Sequence, residues 1–379
     1  MSNYIKVLPP GNVWTRPTQW LAMPNIISTD KKFAGLFAIF NDRHNECGIQ
    51  LNIGYNATIN WGDGTSITGT AYPWIQNKVY NYSTISSPEI TDEFGRVYKH
   101  VLVTIDLNPL ETLVDMYVSQ KSNHWLDIKL ANTGLRIFGL CNVSKPICLK
   151  VIDMVSTTSL SLNQNYHGLE LIERLRFDTS SNTIFAPFSF LGRNARNLNG
   201  DPINFTFTAT NVTGGLTGVN TDKIGTISLP NATDCTNFLR IQSQFVGDVS
   251  IPVATSLSNF CFGAVNVRKV KLISSSNLLN LNQSFFDTPA LEDLEITNCS
   301  GVTTTNLFNT SRALKRLILT GLTRAVNISN QNHNASSLNA FFTSLGTASG
   351  TQNVTITGNP GAATCNQSIA TAKGWTVIN

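Results

Sequence analysis

The sequence predicts a mainly β protein, in which a small β-sandwich precedes a repeat solenoid that ends in a C-terminal cap. The first observation is a series of short apolar runs between residues 33 and 107, separated by turns rich in Gly, Asn, Asp and Pro. The second is a pair of apolar residues, separated by one residue, that recurs every 21 to 24 residues over most of the chain's second half. The length of 379 residues suffices for two or three domains with a sizeable core.

Residues 1–30 are predicted to form an extended anchoring arm. The segment contains four prolines and two tryptophans and has little periodicity. A tryptophan left in water forfeits roughly 2 kcal/mol of burial, so we expect the arm to dock, either on its own domain or on a partner. The candidate anchor residues are Trp14, Arg16 and Trp20.

Residues 31–108 are predicted to form the sandwich. The sequence WGDGT at 61–65 directly follows the alternating strand ATIN. Its glycines allow positive φ, Asp63 can accept backbone N–H groups across the turn, and Trp61 enters the core. Together with the later strand GRVYKHVLVTI, this hairpin resembles the PKD-type immunoglobulin-like domain. The resemblance implies an immunoglobulin-like sandwich, whose strand order is left open by the irregular segment 66–94.

Residues 109–379 are predicted to form the solenoid, irregular over 109–225, regular over 226–357 and capped by 358–379. Each apolar pair supplies one inward-facing strand of a coil, and such coils bury their apolar faces only by stacking on one another. The pairs are Ile227 with Leu229, Val249 with Ile251, Val270 with Leu272, Leu294 with Ile296, Leu317 with Leu319, and Val354 with Ile356.

A second apolar anchor follows each strand and is expected to fill the solenoid from the far side. These anchors are Phe238, Phe260 with Phe262, Phe285 with Phe286, Leu307 with Phe308, and Phe341 with Phe342. A third precedes the next strand, as in PALEDLEI and RALKRLIL, and the same step occurs in PLETLVDMYV and GLELIERLRF. The array is therefore predicted to begin near residue 109, with 178–225 as an insertion or a degenerate repeat.

The unit VSIPVATSLSNFCFGAVNVRKVKL resembles the BspA-like subtype of leucine-rich repeat. The resemblance implies a surface-exposed binding or adhesion protein of a bacterium or protist, or a structural protein of phages that infect Bacteroidetes. The closing TITGNPGAATCNQSIATAKGWTVIN is predicted to be a cap, with a strand, a turn, a short helix over 363–372 and a final strand WTVI.

Composition disfavours several classes of partner and compartment. Charged residues are only 13% of the chain, the net charge is +4, and no basic run is long enough to follow a phosphate backbone, so nucleic acid is not an expected partner. No apolar stretch approaches the ~18 residues of a membrane helix, so membrane insertion is not expected. The first residues lack the pattern of a secretory signal, which predicts folding in the cytoplasm.

Motifs for catalysis, cofactors or metals are weak. The histidines are far apart, and there is no GxSxG, P-loop, HExxH or CxxC sequence, so the chain is predicted not to be an enzyme and to need no cofactor. His44, Cys47 and their acidic neighbours are more simply a solvated loop than a metal site, and Asp63 more simply caps its own turn than binds calcium. Cys141 and Cys148 are close enough to pair, but two buried thiols are favoured.

The repeat strands supply the candidate binding surface. With the apolar pairs inward, the alternating positions form one outer polar stripe, and its candidate residues are Ser228, Ser250, Lys269, Lys271, Asp293, Glu295, Arg316, Thr320, Asn353 and Thr355. The functional interpretation is a recognition surface for a sugar or a protein. The competing interpretation is structural, because opposite charges on adjacent strands stabilise a sheet without any ligand. The stripe lacks exposed aromatic residues, which weakens the sugar version.

These observations predict a non-enzymatic structural protein of a tailed-phage virion, made in the host cytoplasm. The arm would bind other virion proteins, and the solenoid would engage a host-surface glycan or protein, as part of a tail or head fibre, a receptor-binding protein or a capsid decoration. Several copies or a homo-oligomer are expected on the particle. The alternative is a BspA-like adhesin on a bacterial cell surface.

Overall fold

The structure is a computed structural model that describes residues 14–112, 114–132, 134–140, 146–156, 169, 171–179, 195–207, 210, 212, 216–217, 221, 223–241, 243, 245–275, 278–303, 306–308 and 311–379. The chain divides into two compact units. The N-terminal unit is drawn from the described residues of Met1–Ser180 and Leu191–Pro202, and the C-terminal unit from the rest.

Twelve strands in the described part of the N-terminal unit form two sheets. The strands are β1 (Lys31–Phe40), β2 (Glu46–Asn52), β3 (Ala57–Asn60), β4 (Ser66–Gly69), β5 (Trp74–Val79), β6 (Ile90–Thr91), β7 (Val97–Leu107), β8 (Val114–Tyr117), β9 (Trp125–Asn132), β10 (Leu135–Gly139), β11 (Val151–Ser156) and β12 (Arg174–Thr179). The larger sheet has the order β12-β11-β9-β1-β7-β3-β4, with β6 on β7, and the smaller has the order β10-β8-β2-β5. Phe33 of β1 contacts Phe138 of β10 at 6.4 Å between ring centroids, so the two sheets share a core.

Strand direction changes inside both sheets. β1, β2, β3, β5 and β7 pair antiparallel, whereas β9, β11 and β12 pair parallel, as do β8 and β10. β9 joins the larger sheet by pairing with β1, and β8 joins the smaller by pairing with β2. The predicted strands in PLETLVDMYV and GLELIERLRF are therefore present as β8 and β12. β8 and β9 both follow residue 108 and pair antiparallel with β2 and β1, so the two sheets continue across the predicted boundary at 108.

The WGDGT turn has the local structure that its residues predict. Gly62 and Gly64 have φ of 76° and 87°, and Trp61 is buried. Asp63 accepts hydrogen bonds from the backbone N–H and the hydroxyl of Thr65, and it forms an ion pair with Lys78 at 2.6 Å. Gly62 also lies against strand β7, where a Cβ would come within 2.4 Å of the Leu102 carbonyl oxygen. The turn is therefore fixed by its own hydrogen bonds and by close backbone packing.

The C-terminal unit is a β-solenoid of stacked coils. Its described strands are β13 (Ile203–Thr206), β14 (Leu216–Thr217), β15 (Lys223–Ser228), β16 (Leu239–Arg240), β17 (Phe245–Ile251), β18 (Lys269–Ser274), β19 (Asp293–Ile296), β20 (Arg316–Leu319), β21 (Val326–Asn327), β22 (Gln352–Thr355) and β23 (Trp375–Ile378). Two helices accompany them, α1 (Ala335–Ser344) and α2 (Ser368–Thr371). The order β13-β15-β17-β18-β19-β20 is parallel throughout, as expected for coils that rise one strand at a time.

Stacked apolar side chains fill the solenoid. Leu272 lies opposite Ile296, and Ile296 lies opposite Leu319, with all three side chains fully buried. On the far side each coil buries at least one of its predicted second anchors, and the Phe238 and Phe260 rings stack at 5.7 Å. The buried anchors are Phe238, Phe260, Phe285, Leu307, Phe341 and Phe342, whereas Phe262, Phe286 and Phe308 are half-buried. Each coil thus buries its apolar face against its neighbours, which is the main stabilising contribution in a repeat array.

The predicted register is wrong at one step. The sequence spacing places Val249 opposite Val270, but the structure places Val249 opposite Leu272. The reason is an extra residue in β15 and β17, at Gly225 and Gly247, so that inward residues there are three positions apart instead of two. A Cβ on Gly247 would lie 1.9 Å from the Gly225 carbonyl oxygen, so the two bulges stack without room for a side chain.

The predicted continuous outer sheet ends earlier than expected. β20 is the last strand of the six-stranded sheet, and the strands that follow form a separate parallel sheet of order β21-β22-β23. Val354 of β22 consequently lies opposite Val326 and not above Leu317. Helix α1, which the sequence analysis did not predict, is inserted between β21 and β22 and packs against β20. The final predicted helix is present but shorter, as α2 with flanking turns.

Candidate functional site

Part of the candidate stripe forms a self-neutralising charge network. Arg316 donates to Asp293 and to Glu295, both at 2.7 Å, and Lys271 lies 3.9 Å from Asp248 and from Glu295. Lys269 completes the set with Asp293 at 3.7 Å. The hydrogen bonds to the two carboxylates raise the pKa of Arg316 above its ordinary value. The cross-strand ion pairs of the structural interpretation are therefore present.

The uncharged candidates divide between two sheets. Ser228 and Ser250 are half-buried and lie opposite each other on β15 and β17, and Thr320 is exposed directly after β20. Asn353 and Thr355 lie on β22, in the separate three-stranded sheet. The structure therefore does not bring all ten candidate residues together on one strand surface.

Asn353 and Thr355 instead line a cleft of about 550 Å³ in the C-terminal unit, which we call the amide cleft. Its described lining contains two hydroxyl groups, from Ser329 and Thr355, and no charged side chain. Asn327 pairs with Thr355 across β21 and β22, so their side chains lie on one face with Asn353. Five carboxamides define the cleft, and they are Asn306, Asn327, Asn330, Gln331 and Asn353.

Local backbone structure orients two of these carboxamides. Asn330 has a left-handed backbone with φ of 56°, a conformation in which Asn is among the best tolerated residues. Asn327 accepts hydrogen bonds from the backbone N–H and hydroxyl of Ser329, which fixes its own side chain. The turn between β21 and α1 thus holds both amides at the wall of the cleft.

Gln331 differs from the other carboxamides because it is only 7% exposed. Its Oε1 has no hydrogen-bond partner among the described residues. Buried polar atoms in native proteins are nearly always paired, so this acceptor without a partner is an exception, and it belongs to a residue that lines the cleft.

Phe308 supplies the apolar part of the cleft. The sequence predicts that this ring fills the solenoid interior together with Leu307, but only Leu307 is fully buried. Phe308 is half-buried, contacts Phe285 at 6.2 Å between ring centroids, and also lines the cleft. The aromatic platform that the outer stripe lacks is therefore present at the cleft.

The candidate anchor residues pack on their own unit. Trp20 is 5% exposed, and its indole N–H donates to the Tyr98 hydroxyl at 2.9 Å. Arg16 donates to Asp127 at 2.8 Å, and the Trp14 carbonyl accepts a hydrogen bond from Arg174 at 2.6 Å. For residues 14–20, docking on the chain's own domain is thus observed. Attachment to other virion proteins stays a prediction, and the first 13 residues of the arm lie outside the described part.

Burial favours the uncharged form of several histidine and cysteine side chains in the described residues. Burial lowers the pKa of His100, His124 and His333 to about 4, and burial raises the pKa of Cys148 to about 12. Cys148 is a free thiol, while Cys141 lies outside the described residues. His44 pairs with Glu46 at 3.2 Å, and no cluster of three or more potential metal ligands is found in the described ranges. Within those ranges, no helix is both long and apolar enough to cross a membrane.

Comparisons with known proteins add no relative. No protein-family model, no curated protein and no solved structure matches the chain. The family resemblances of the sequence therefore stay predictions.

Two lining residues of the cleft, Asn353 and Thr355, are among the binding residues that the sequence predicts, whereas the carboxamides of 306–331 are not. No local pattern distinguishes those amides in a chain rich in Asn. The signal that was available is the Asn334 that precedes Leu338, Phe341 and Phe342, because an N-cap residue before apolar residues at helical spacing predicts α1 and hence the end of the regular strands.

Proposed function

We propose that this chain is a non-enzymatic virion structural protein of a tailed phage, and that its solenoid binds a glycan or protein on the host surface. The observation that carries the proposal is the parallel stack from β13 to β20. A solenoid exposes an extended surface in place of an enclosed reaction chamber, and repeat proteins use such surfaces for binding. The resemblance to BspA-like repeats, and to related repeats in phages of Bacteroidetes, supports the same conclusion.

The non-enzymatic part is supported by the state of the reactive side chains. Cys235 and Cys299 are buried thiols whose pKa burial raises to about 12, so they are poor nucleophiles at neutral pH. The described buried histidines have no carboxylate that would orient them as general bases. We therefore assign the polar surface to recognition, without a cofactor.

The thiols also support folding in a reducing compartment. Six cysteines are free in the described part of the chain, and five of them are buried. Extracellular domains of bacteria and other cells commonly form disulfides during export, whereas virion proteins fold in the host cytoplasm. In this proposal the PKD-like domain acts as a spacer, the residues after 357 act as the cap, and the arm contributes to attachment of several copies to the particle.

Mass spectrometry of purified particles tests this function. The proposal predicts that the chain is present in phage particles at a fixed copy number and that particles retain it through density-gradient purification. The alternative is a BspA-like adhesin on a bacterial surface, and it predicts the chain in the cell envelope of uninfected bacteria. Absence of the chain from the particles would refute the virion assignment.

A further inference from the structure

We propose that the amide cleft is a binding site for a neutral oligosaccharide. This inference rests on the proposed recognition function and names its site and ligand class. The cleft of about 550 Å³ is within the size range of small-molecule sites, and it lies where the last regular coil meets the three-stranded sheet.

The chemistry of the lining selects the ligand class. Each carboxamide offers both donors and an acceptor, and each sugar hydroxyl likewise donates and accepts. Because the described lining contains no charged side chain, it offers no ion-pair partner to a phosphate, a carboxylate or an ammonium group. Cross-strand charges, in contrast, are concentrated on the strands from β17 to β20, where they neutralise one another.

The buried carboxamide of Gln331 supports the same binding site independently. Its side chain is more than nine-tenths buried, lines the cleft and leaves Oε1 without a hydrogen-bond partner. Because Oε1 itself has almost no accessible surface, a sugar hydroxyl would reach it only if the carboxamide turned toward the cleft, and a purely apolar ligand would leave it unpaired. Asn353 is exposed on the same lining and is placed to bind a further hydroxyl.

Phe308 supplies the aromatic ring on which a sugar could stack. The C–H face of a pyranose packs on an aromatic ring, and Phe308 is the aromatic residue in the described lining. A peptide is less favoured, because peptide recognition uses a long sheet edge or an apolar groove, whereas β21 contributes only Val326 and Asn327.

The test uses the full chain and an array of neutral trisaccharides built from glucose, galactose, mannose and N-acetylglucosamine. Sialylated and uronic-acid trisaccharides and neutral hexapeptides are printed beside them. We expect binding to at least one neutral trisaccharide. Titration with that trisaccharide should be about tenfold weaker or worse for Asn353→Ala and for Gln331→Met, since each loses a hydrogen-bonding group.

Asn332→Ala is the matched control. Asn332 is exposed, directly follows Gln331 and does not line the cleft, so the same type of substitution should leave the affinity unchanged. Thermal unfolding of each variant shows whether a loss of binding reflects loss of the fold, and Asn353→Ala at an exposed position is expected to unfold like the wild type.

Several results of these experiments would overturn the proposed sugar site. Binding only to acidic trisaccharides or only to peptides overturns it, as does failure of the folded wild-type chain to bind any printed probe. Neutral-sugar binding that Asn353→Ala and Gln331→Met leave intact also overturns it. A chain that adsorbs equally to host cells with and without Asn353→Ala overturns the cleft assignment while leaving the proposed virion function in place, because particle composition tests that function separately.

Discussion

Truncation of Phe260 tests whether the coils are held together by stacked interior side chains. Phe260 is fully buried, its ring lies 5.7 Å from that of Phe238, and the two planes are inclined by 24°. Removing a buried area of about 150 Å² at ~25 cal/mol per Å² corresponds to about 4 kcal/mol, which agrees with the usual cost of Phe→Ala in a core. For a unit of this size, the melting temperature should fall by about 8 to 16 °C.

Phe262 is the matched control for Phe260→Ala. It lies in the same turn and is half-buried. Phe262→Ala should therefore cost only about 1 to 2 kcal/mol. Differential scanning calorimetry of both variants measures the difference. Equal destabilisation, or a smaller effect at Phe260, would show that the interior position assigned to Phe260 is wrong.

Three further predictions concern backbone packing, protonation and surface charge in the C-terminal unit. Gly247→Ala should lower the free energy of unfolding in urea by more than about 2 kcal/mol, because its Cβ would lie 1.9 Å from the Gly225 carbonyl oxygen. Gly263→Ala is the control, since open space surrounds Gly263 and the left-handed backbone alone should cost about 1 kcal/mol. Burial lowers the pKa of His333 to about 4 in the folded chain, whereas the pKa of an unfolded histidine is about 6.5. As the pH falls between these two values, His333 is protonated in the unfolded chain but not in the folded chain, so the free energy of unfolding decreases until about pH 4. His333→Asn should reduce that decline by about 1 kcal/mol per pH unit, and an unchanged pH profile would contradict the assignment. Arg316→Ala should lower the free energy of unfolding by about 1 kcal/mol or less at low ionic strength and by almost nothing in about 1 M salt. A destabilisation that does not depend on salt would show that Arg316 does not act through its ion pairs with the two carboxylates.

The alternation of apolar residues made most of the solenoid predictable. Leu294 with Ile296 and Leu317 with Leu319 face the interior because a strand exposes every second side chain to one face. The register across β17 and β18 was not predictable in the same way. A bulge adds one residue without changing the apolar pattern that follows it, and only the close approach of Gly225 and Gly247 shows why glycine is needed there.

The candidate site was predictable only in part. Asn353 and Thr355 were identified because they alternate with buried residues on β22. The rest of the amide cleft comes from segments around 306, 327 and 331, which are distant in sequence from β22 and meet it only in the folded chain. Burial of Gln331 is a tertiary property, so a sequence rich in exposed Asn and Gln gives no means of distinguishing it.

Methyl NOE spectroscopy of the full chain with labelled Ile, Leu and Val tests most directly whether the coils stack in the order of the sequence. The structure predicts a consecutive series of cross-peaks from Val249 to Leu272, from Leu272 to Ile296 and from Ile296 to Leu319, because these buried residues lie opposite one another on adjacent strands. Cross-peaks that join Val249 to Ile296 or Leu319 and bypass Leu272, or assigned methyl groups of these residues with no mutual contacts, would contradict the solenoid and the recognition surface built on it.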